Sequence, residues 1–421
     1  MQEFKQNGAY IVSYARTPIG AFNGVLASFS ATELGTVALK GALEKSGIPA
    51  TEVESIFFGN VVSANLGQNP ARQVAIKAGC KVDKVIGTNV NKVCASGMKA
   101  LMLASQEIRL GESDVVAVVG SESMSNIPFY NTSSRFGGKF GNQTLADGII
   151  KDGLLDAYNG ELMGYAAEKC AAEYNINREM QDEFAVMSYE RAISAASSNK
   201  LDSEIVGVPV IKRRGPTKTE TLINKDEEIT KFDKSRLLGL RPAFVDASGH
   251  GTVTAGNASS LSDGAASLIV VSGRYLTKLL QTNPAKLSSV FYVASSADAE
   301  QEPVLFTTSP ALAIPKALSK VENLGFNPAS SKVGEFVDYV EINEAFSVVG
   351  SANIKIMGLD INQVNVHGGA VALGHPLGCS GARIIVSLCN ILQLNKATRG
   401  VAGVCNGGGG ASAVVVEQVL L

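Results

Sequence analysis

The chain repeats part of itself, and that repeat narrows the folds open to it more than any other feature. Cys94-Ala95-Ser96-Gly97-Met98-Lys99 opens one apolar helical stretch and Cys379-Ser380-Gly381-Ala382-Arg383 opens another, each followed about 20 residues later by a Val-rich run, Val115–Val119 or Val401–Val404. Upstream, Ile56-Phe57-Phe58-Gly59-Asn60 is echoed by Val340-Glu341-Ile342-Asn343. Three similarities in the same order point to a duplicated α/β unit with pseudo-two-fold symmetry. Junctions between such units are natural places for a ligand cleft.

Hydrophobic periodicity fills in the two copies. It predicts strands over Ala9–Tyr14, Ser55–Val62, Thr88–Val90 and Val115–Gly120, and helices over Ala31–Ser46, Ala71–Ala78 and Ser96–Leu110. From Gly264 a second series runs through Leu268–Val271, Ala311–Val321, Tyr339–Ile342, Ser380–Leu392, Val401–Cys405 and Ala413–Val416. Such alternation is the mark of layered α/β architecture. Between the series, residues 124–251 carry most of the Gly, Pro and charge clusters, among them Phe136–Lys139, Lys212-Arg213-Arg214-Gly215-Pro216 and Lys225–Glu228. That region reads as a loop-rich insertion with one clear helix at Met180–Asn199. The expected division is 1–123 (completed by 252–273), an inserted 124–251, and 274–421, in keeping with 421 residues at roughly 150 per domain.

Thirty-seven basic and 39 acidic residues leave a net charge of -2, so bulk electrostatics gives no reason to expect nucleic acid or an anionic membrane. No run approaches the ~18 uncharged apolar residues of a spanning helix. Met1–Gly8 does not read as a transit peptide and Val419-Leu420-Leu421 is not a Ser-Lys-Leu ending, so the expectation is a cytoplasmic protein. Six cysteines without a C-x-x-C pair, and only three histidines, argue against a disulfide scaffold or zinc site.

Four places carry chemistry. Cys94 precedes an apolar helix, where the positive end of the dipole is expected to lower a thiol pKa; the plainer reading is a buried cysteine in a tight turn. His375 sits in a glycine-rich loop, Gly374-His375-Pro376, that either presents the imidazole to a ligand or leaves it on the surface. Cys405 ends a strand and starts Cys405-Asn406-Gly407-Gly408-Gly409-Gly410, whose backbone N–H groups suit an oxyanion, or which is simply a hairpin turn. No Gly-Lys-Ser/Thr ending follows, so this is not a phosphate loop. Asn343-Glu344-Ala345-Phe346 places polar groups at the end of a buried strand, or caps a helix.

Together, Val93-Cys94-Ala95-Ser96-Gly97, Asn343-Glu344-Ala345-Phe346, Gly374-His375-Pro376 and Cys405-Asn406-Gly407-Gly408-Gly409 resemble the thiolase family over essentially the whole chain. Tyr14–Gly20, Gly251–Ser259 and Asp263–Ala266 extend the likeness to its biosynthetic, cytosolic branch. The resemblance implies a five-layer α/β/α/β/α fold built from two duplicated α/β domains with an inserted loop domain. It implies reversible Claisen condensation of two acetyl-CoA to acetoacetyl-CoA and CoA through an acetyl-cysteine. Cys94 would be the nucleophile, His375 and Cys405 the proton carriers, and Asn343 and Gly407 parts of two oxyanion holes. Coenzyme A would contact Leu154, Met163, Phe244, Ala255, Ser259, Leu261, Ala345 and Phe346, with Phe306-Thr307 facing the acyl group. No tightly bound cofactor is implied, but a potassium ion at Tyr189, Ala255, Ala258 and Val371 is, as is a homotetramer formed through Ser133–Asn142. Leu162 and His367 depart from the family's usual His and Asn. A degradative 3-ketoacyl-CoA thiolase and a non-catalytic CoA-binding scaffold stay open as alternatives.

Overall fold

The structure, a computed structural model, describes residues 4–214, 217–282, 287 and 289–421, so Met1–Glu3 and the Gly215-Pro216 end of the basic cluster lie outside the described residues. The first copy contains β1 (Ala9–Arg16), β2 (Gly20–Ala21), α1 (Ala31–Ser46), β3 (Ser55–Gly59), α2 (Pro70–Lys77), β4 (Ile86–Val90), α3 (Ser96–Leu110) and β5 (Val115–Ser123). Helix α1 starts where it does because Ser30 and Glu33 form a reciprocal capping box, and it stops at Gly47, whose φ is 65°.

The insertion is more regular than its composition suggests. It holds β6 (Phe129–Tyr130), β7 (Ala146–Asp147), α4 (Met163–Glu173), α5 (Arg178–Ser197), the hairpin β8 (Val208–Arg214) and β9 (Thr217–Ile223), and α6 (Lys234–Leu238). Helix α4 escapes sequence reading because its Ala-rich run lacks a side-chain cap. A buried ion triad fastens this region to the first copy: Arg16 Nε reaches Glu204 at 2.7 Å, and its two Nη atoms reach Asp226 at 2.7 and 2.9 Å.

The chain then returns through β10 (Ser262–Ser272), which runs between β1 and β5, and α7 (Gly273–Thr282). The second copy contains β11 (Val290–Glu300), α8 (Pro310–Leu318), β12 (Tyr339–Ile342), α9 (Ser347–Met357), α10 (Ala370–Leu373), α11 (Leu377–Asn395), β13 (Arg399–Asn406) and β14 (Gly410–Val419). Strand β11 is missed by periodicity because its second half, Ser295–Glu300, is Ala, Ser and acid.

Strand order is β1-β10-β5-β3-β4 in one half and β11-β14-β13-β12 in the other. Val364 bridges Val340 in parallel where β4 pairs β3 in the first copy. The halves join edge to edge at Tyr10–Tyr292 and Ile11–Phe291, so one hydrogen-bonded path crosses both. Helices α3 and α11 lie between the inner faces of the halves, α1 and α2 cover one outer face, and α8 and α9 cover the other, giving five layers. Among the described residues, α11 alone is long and apolar enough by composition to cross a bilayer, but 89% of that window is buried inside the protein.

The two central helices meet at glycines. A Cβ on Gly381 would stand 2.5 Å from the Met98 backbone nitrogen, and one on Gly97 would stand 2.7 Å from that of Ala382. Real side chains do not tolerate such distances to backbone, so these positions fix how deeply α3 and α11 cross. Gly381→Ala is therefore expected to destabilise the fold by about 2 kcal/mol or more, after the ~1 kcal/mol that alanine gains in a helix. The denaturation midpoint at unchanged m-value reads this out, and a shift below about 0.5 kcal/mol would show that the crossing can open.

Candidate active site

Cys94 stands on a strained turn ahead of α3. Val93 has φ 47°, a left-handed conformation that β-branched residues rarely adopt. Side chains hold it there: Asn91 Oδ1 accepts from the Val93 N–H at 3.0 Å, and Ser96 Oγ accepts from the Lys92 N–H at 2.9 Å while donating to the Val93 carbonyl at 2.6 Å. The backbone N–H groups of Gly407 and of Cys94 itself favour the anionic form of the Cys94 sulfur. Even so, burial pushes the thiol up to about 12, the opposite of the helix-dipole expectation. Desolvation of an anion outweighs two N–H groups and a helix end, so Cys94 rests as a thiol and needs a base.

His375 offers an unpartnered ring nitrogen on the wall of the cavity that Cys94 also lines. Its backbone N–H donates to the Ser260 carbonyl at 3.0 Å, and its Nδ1 lies 2.6 Å from Ser380 Oγ. Ser380 donates its one proton to the Pro376 carbonyl at 3.2 Å, which leaves a lone pair to accept Nδ1–H. That network assigns the tautomer with a bare Nε2, and Nε2 is buried without a partner. Burial, helped by Arg383, lowers the imidazole pKa to about 3, so it is neutral near pH 7. The surface-histidine reading fails: His375 is only 6% exposed. Ser380 was not singled out by sequence reading, though its match to Ser96 in the repeat was the available signal.

Cys405, at the end of β13, is fully buried; desolvation and then the neighbouring Cys94 push its thiol well above the ordinary range. The glycines after it make both a hairpin and an N–H donor, since Asn406 pairs with Gly410 while Gly408 and Gly409 take φ of 92° and 95°. Asn343 does not cap α9, whose N-cap is Phe346. Its Oδ1 lies 3.5 Å from Arg383 Nη2, and its Nδ2 is buried with no partner. Glu344 accepts from Ser188 Oγ at 2.7 Å, Asn365 Nδ2 at 2.8 Å and the Val371 N–H at 3.1 Å, thereby holding the segment that leads to His375. His367 sits in that segment, buried to a pKa of about 4, and does not line the cavity beside His375.

Cys94, His375 and Gly407 share the wall of an apolar cavity of about 280 Å³. All eight residues expected to meet coenzyme A line it too: Leu154, Met163, Phe244, Ala255, Ser259, Leu261, Ala345 and Phe346. Met124, Leu162 and Phe306 are among the other residues on the wall. Cys405 and Asn343 lie outside it, fully buried. Of the four expected potassium positions, Ala255 and Ala258 are on the cavity wall, whereas Tyr189 and Val371 belong to an adjoining apolar cluster in which Tyr189 stacks on Phe232 at 4.6 Å. Ser133–Asn142 is far more open, with Phe136 and Phe140 exposed.

Comparison with known proteins agrees with this architecture. Residues 9–274 match the thiolase N-terminal domain and residues 287–418 the thiolase C-terminal domain. The chain is 51% identical over 407 residues to acetyl-CoA acetyltransferase 1 of Arabidopsis thaliana, covering 97% of this chain and 93% of that one. It is 49% identical over 410 residues to the protein named acetyl-CoA acetyltransferase ERG10, cytosolic, of Gibberella zeae, covering 97% and 98%. The solved structure of Acat5 thiolase from Ascaris suum in complex with coenzyme A superposes with a TM-score of 0.87 at 40% identity, covering 98% of this chain and 100% of that one. With both domain descriptions matched across nearly its whole length, the chain belongs to the thiolase family.

Proposed function

We propose that the chain is an acetyl-CoA C-acetyltransferase that joins two acetyl-CoA into acetoacetyl-CoA and CoA, reversibly. The observation that carries this reading is the meeting of the Cys94 thiol, the bare Nε2 of a neutral His375 and the Gly407 N–H on one apolar cavity wall. The names of the Arabidopsis and Gibberella relatives support it, and the coenzyme A complex of the Ascaris protein supports coenzyme A as the ligand.

In this reading the steps run as proton and acyl transfers among the three side chains. His375 Nε2 takes the Cys94 proton as the sulfur attacks the thioester carbonyl, and the resulting oxyanion forms on the carbon bonded to Sγ, beside the N–H groups of Cys94 and Gly407. Collapse breaks the C–S bond to CoA; the departing thiolate takes the Cys405 proton, leaving acetyl-Cys94, a Cys405 thiolate and a His375 imidazolium. Cys405 then removes a methyl proton from the second acetyl-CoA. The enolate oxygen is held by His375 and a water on Asn343 Nδ2, each of which carries an unpartnered buried nitrogen. Carbon attack on acetyl-Cys94 expels its thiolate, which recovers the proton from His375, and all three groups return to their starting states.

A potassium ion near Tyr189 is part of this reading. Glu228 and Glu344 make the neighbourhood of its phenol negative, and the carbonyls of Ala255, Ala258 and Val371 are oxygen donors of the kind a hard cation takes. Such an ion would brace the segment that Glu344 also holds. Exposed Phe136 and Phe140 support homotetramer formation through Ser133–Asn142, and the Gibberella name supports a cytoplasmic site of action.

Three outcomes test this reading. Cys94→Ala is expected to abolish acetyl-enzyme formation, whereas Cys405→Ala still acetylates at Cys94 but does not condense; mass spectrometry of the intact protein decides, and acetylation at Cys405 would reverse the roles. Ser380→Ala lets His375 adopt the tautomer that holds a proton on Nε2, so acetylation is expected to slow on the order of 10-fold with KM for acetyl-CoA unchanged, as for other lost orienting bonds. An unchanged rate would remove Ser380 from the site. Finally, thiolysis is expected to run faster in potassium than in sodium at matched ionic strength, and equal rates would dismiss the cation.

A further inference from the structure

The two thiols come from different copies of the duplicated unit, so something must fix their separation. Cys94 belongs to the first copy and Cys405 to the second, and one polar cluster ties their immediate surroundings together. Lys92, two residues before Cys94, places Nζ 3.0 Å from Asp298 Oδ1, 3.2 Å from Ser412 Oγ and 3.3 Å from the Ala411 carbonyl, with Glu300 at 3.4 Å. Lys99, in the first turn of α3, reaches the other Asp298 oxygen at 2.7 Å. Ser412 Oγ donates to Asp298 Oδ1 at 2.6 Å.

The far side of this clamp is set by strand register. Asp298 pairs with Ser412 across β11 and β14, and Ser412 pairs with Val404 across β14 and β13. The neighbouring rung joins Ala411 to Cys405. Asp298 is thus locked one rung from Cys405 while both its oxygens hold lysines that flank Cys94. Burial alone would raise the Asp298 pKa, but Lys99, Ser412 and Lys92 bring it down to about 2, so the carboxylate is charged at any working pH. On the near side, Lys92 precedes the strained Val93, and its anchored ammonium stops that turn from relaxing away from Gly407.

We propose that Asp298 is a positioning residue that sets the distance between Cys94 and Cys405, and thereby controls condensation more than acetylation. The proposal rests on the roles given above to the two cysteines. Acetylation needs Cys94, His375 and the Gly407 N–H, and asks of Cys405 only a proton that the departing CoA thiolate can also draw from water. Condensation also needs a carbon deprotonated at Cys405 to reach the acetyl group on Cys94, and misplacement by about 1 Å in such an approach costs on the order of 100-fold in rate.

The test measures the two half-reactions separately in the full-length protein. Acetyl-Cys94 formation is followed by rapid quench and mass spectrometry, and acetoacetyl-CoA formation by its absorbance. Asp298→Asn keeps the size and removes the charge; it is expected to acetylate within about 3-fold of the parent and to condense at least 10-fold more slowly, with Asp298→Glu recovering part of the loss. Lys99→Met is the second variant, so that a poorly folded Asp298→Asn leaves the proposal open to refutation; it is expected to show the same split in smaller measure. Equal losses in both half-reactions, or no loss in either, would overturn the proposal. Failure of the parent protein to acetylate at Cys94 would instead overturn the assignment of the cysteines, and this inference with it.

Discussion

The crossing of α3 and α11 at Gly97 and Gly381 is the contact on which the site depends. Each helix begins with the sequence that delivers a reacting group: Cys94 sits two residues before the first residue of α3, and His375 two before that of α11. Because glycine lets the two backbones touch, the helix starts converge, and the two groups arrive on one cavity wall from positions 281 residues apart (375 minus 94). Glu122 reinforces the same junction from below, accepting from the Val61, Val62 and Gly378 N–H groups at 2.9, 3.1 and 2.9 Å and from Asn60 Nδ2 at 2.8 Å. One carboxylate therefore ties the loop after β3 to the start of α11. Breaking either contact would separate Cys94 from His375 without touching either.

Burial is what tunes the chemistry. Desolvation holds Cys94 and Cys405 as thiols and His375 as a neutral imidazole, so the resting site carries no ion pair between them. A neutral, dry arrangement suits a reaction whose charges exist only transiently, because each N–H donor is already aimed and water competes little for the developing oxyanion. The other ionisable groups stand one layer back, where burial pushes the carboxyls of Glu341 and Glu344 up. Glu344 works through hydrogen bonds to Ser188, Asn365 and Val371, and Arg383 faces Glu341 at 3.7 Å.

The sequence made the site more legible than its surroundings. Cys94, His375, Cys405 and the cavity residues stand in short motifs, and the helix bounds of α1 and α3 match their periodicity because Gly47 and Gly111 end them in left-handed caps. Strand β11 and helix α4 were not readable, since small residues packed between layers carry no periodic apolar signal. The direction of the Cys94 shift was misjudged for a related reason: a helix N-terminus is local and visible in sequence, whereas the desolvation that overrides it comes from the whole fold. Ser380 and Asp298 act through neighbours that only the fold brings near.

Register shows how the two copies of the duplicated unit differ at the site. In the first copy Gly59 pairs with Gly120, and in the second Ile342 pairs with Gly403. One residue further along the first strand of each pair lie Asn60 and Asn343; two further along the second lie Glu122 and Cys405. Cys405 therefore occupies the place of a buried carboxylate. Where Glu122 is present, it captures the Asn60 amide at 2.8 Å, and that asparagine is spent on structure. Where a thiol stands instead, the Asn343 amide is left without a partner. A thiol is a weak acceptor and leaves such an amide free for a water or a developing oxyanion, while itself able to exchange a proton. The same exchange of residue thus explains two features together, the second thiol and the unpartnered amide.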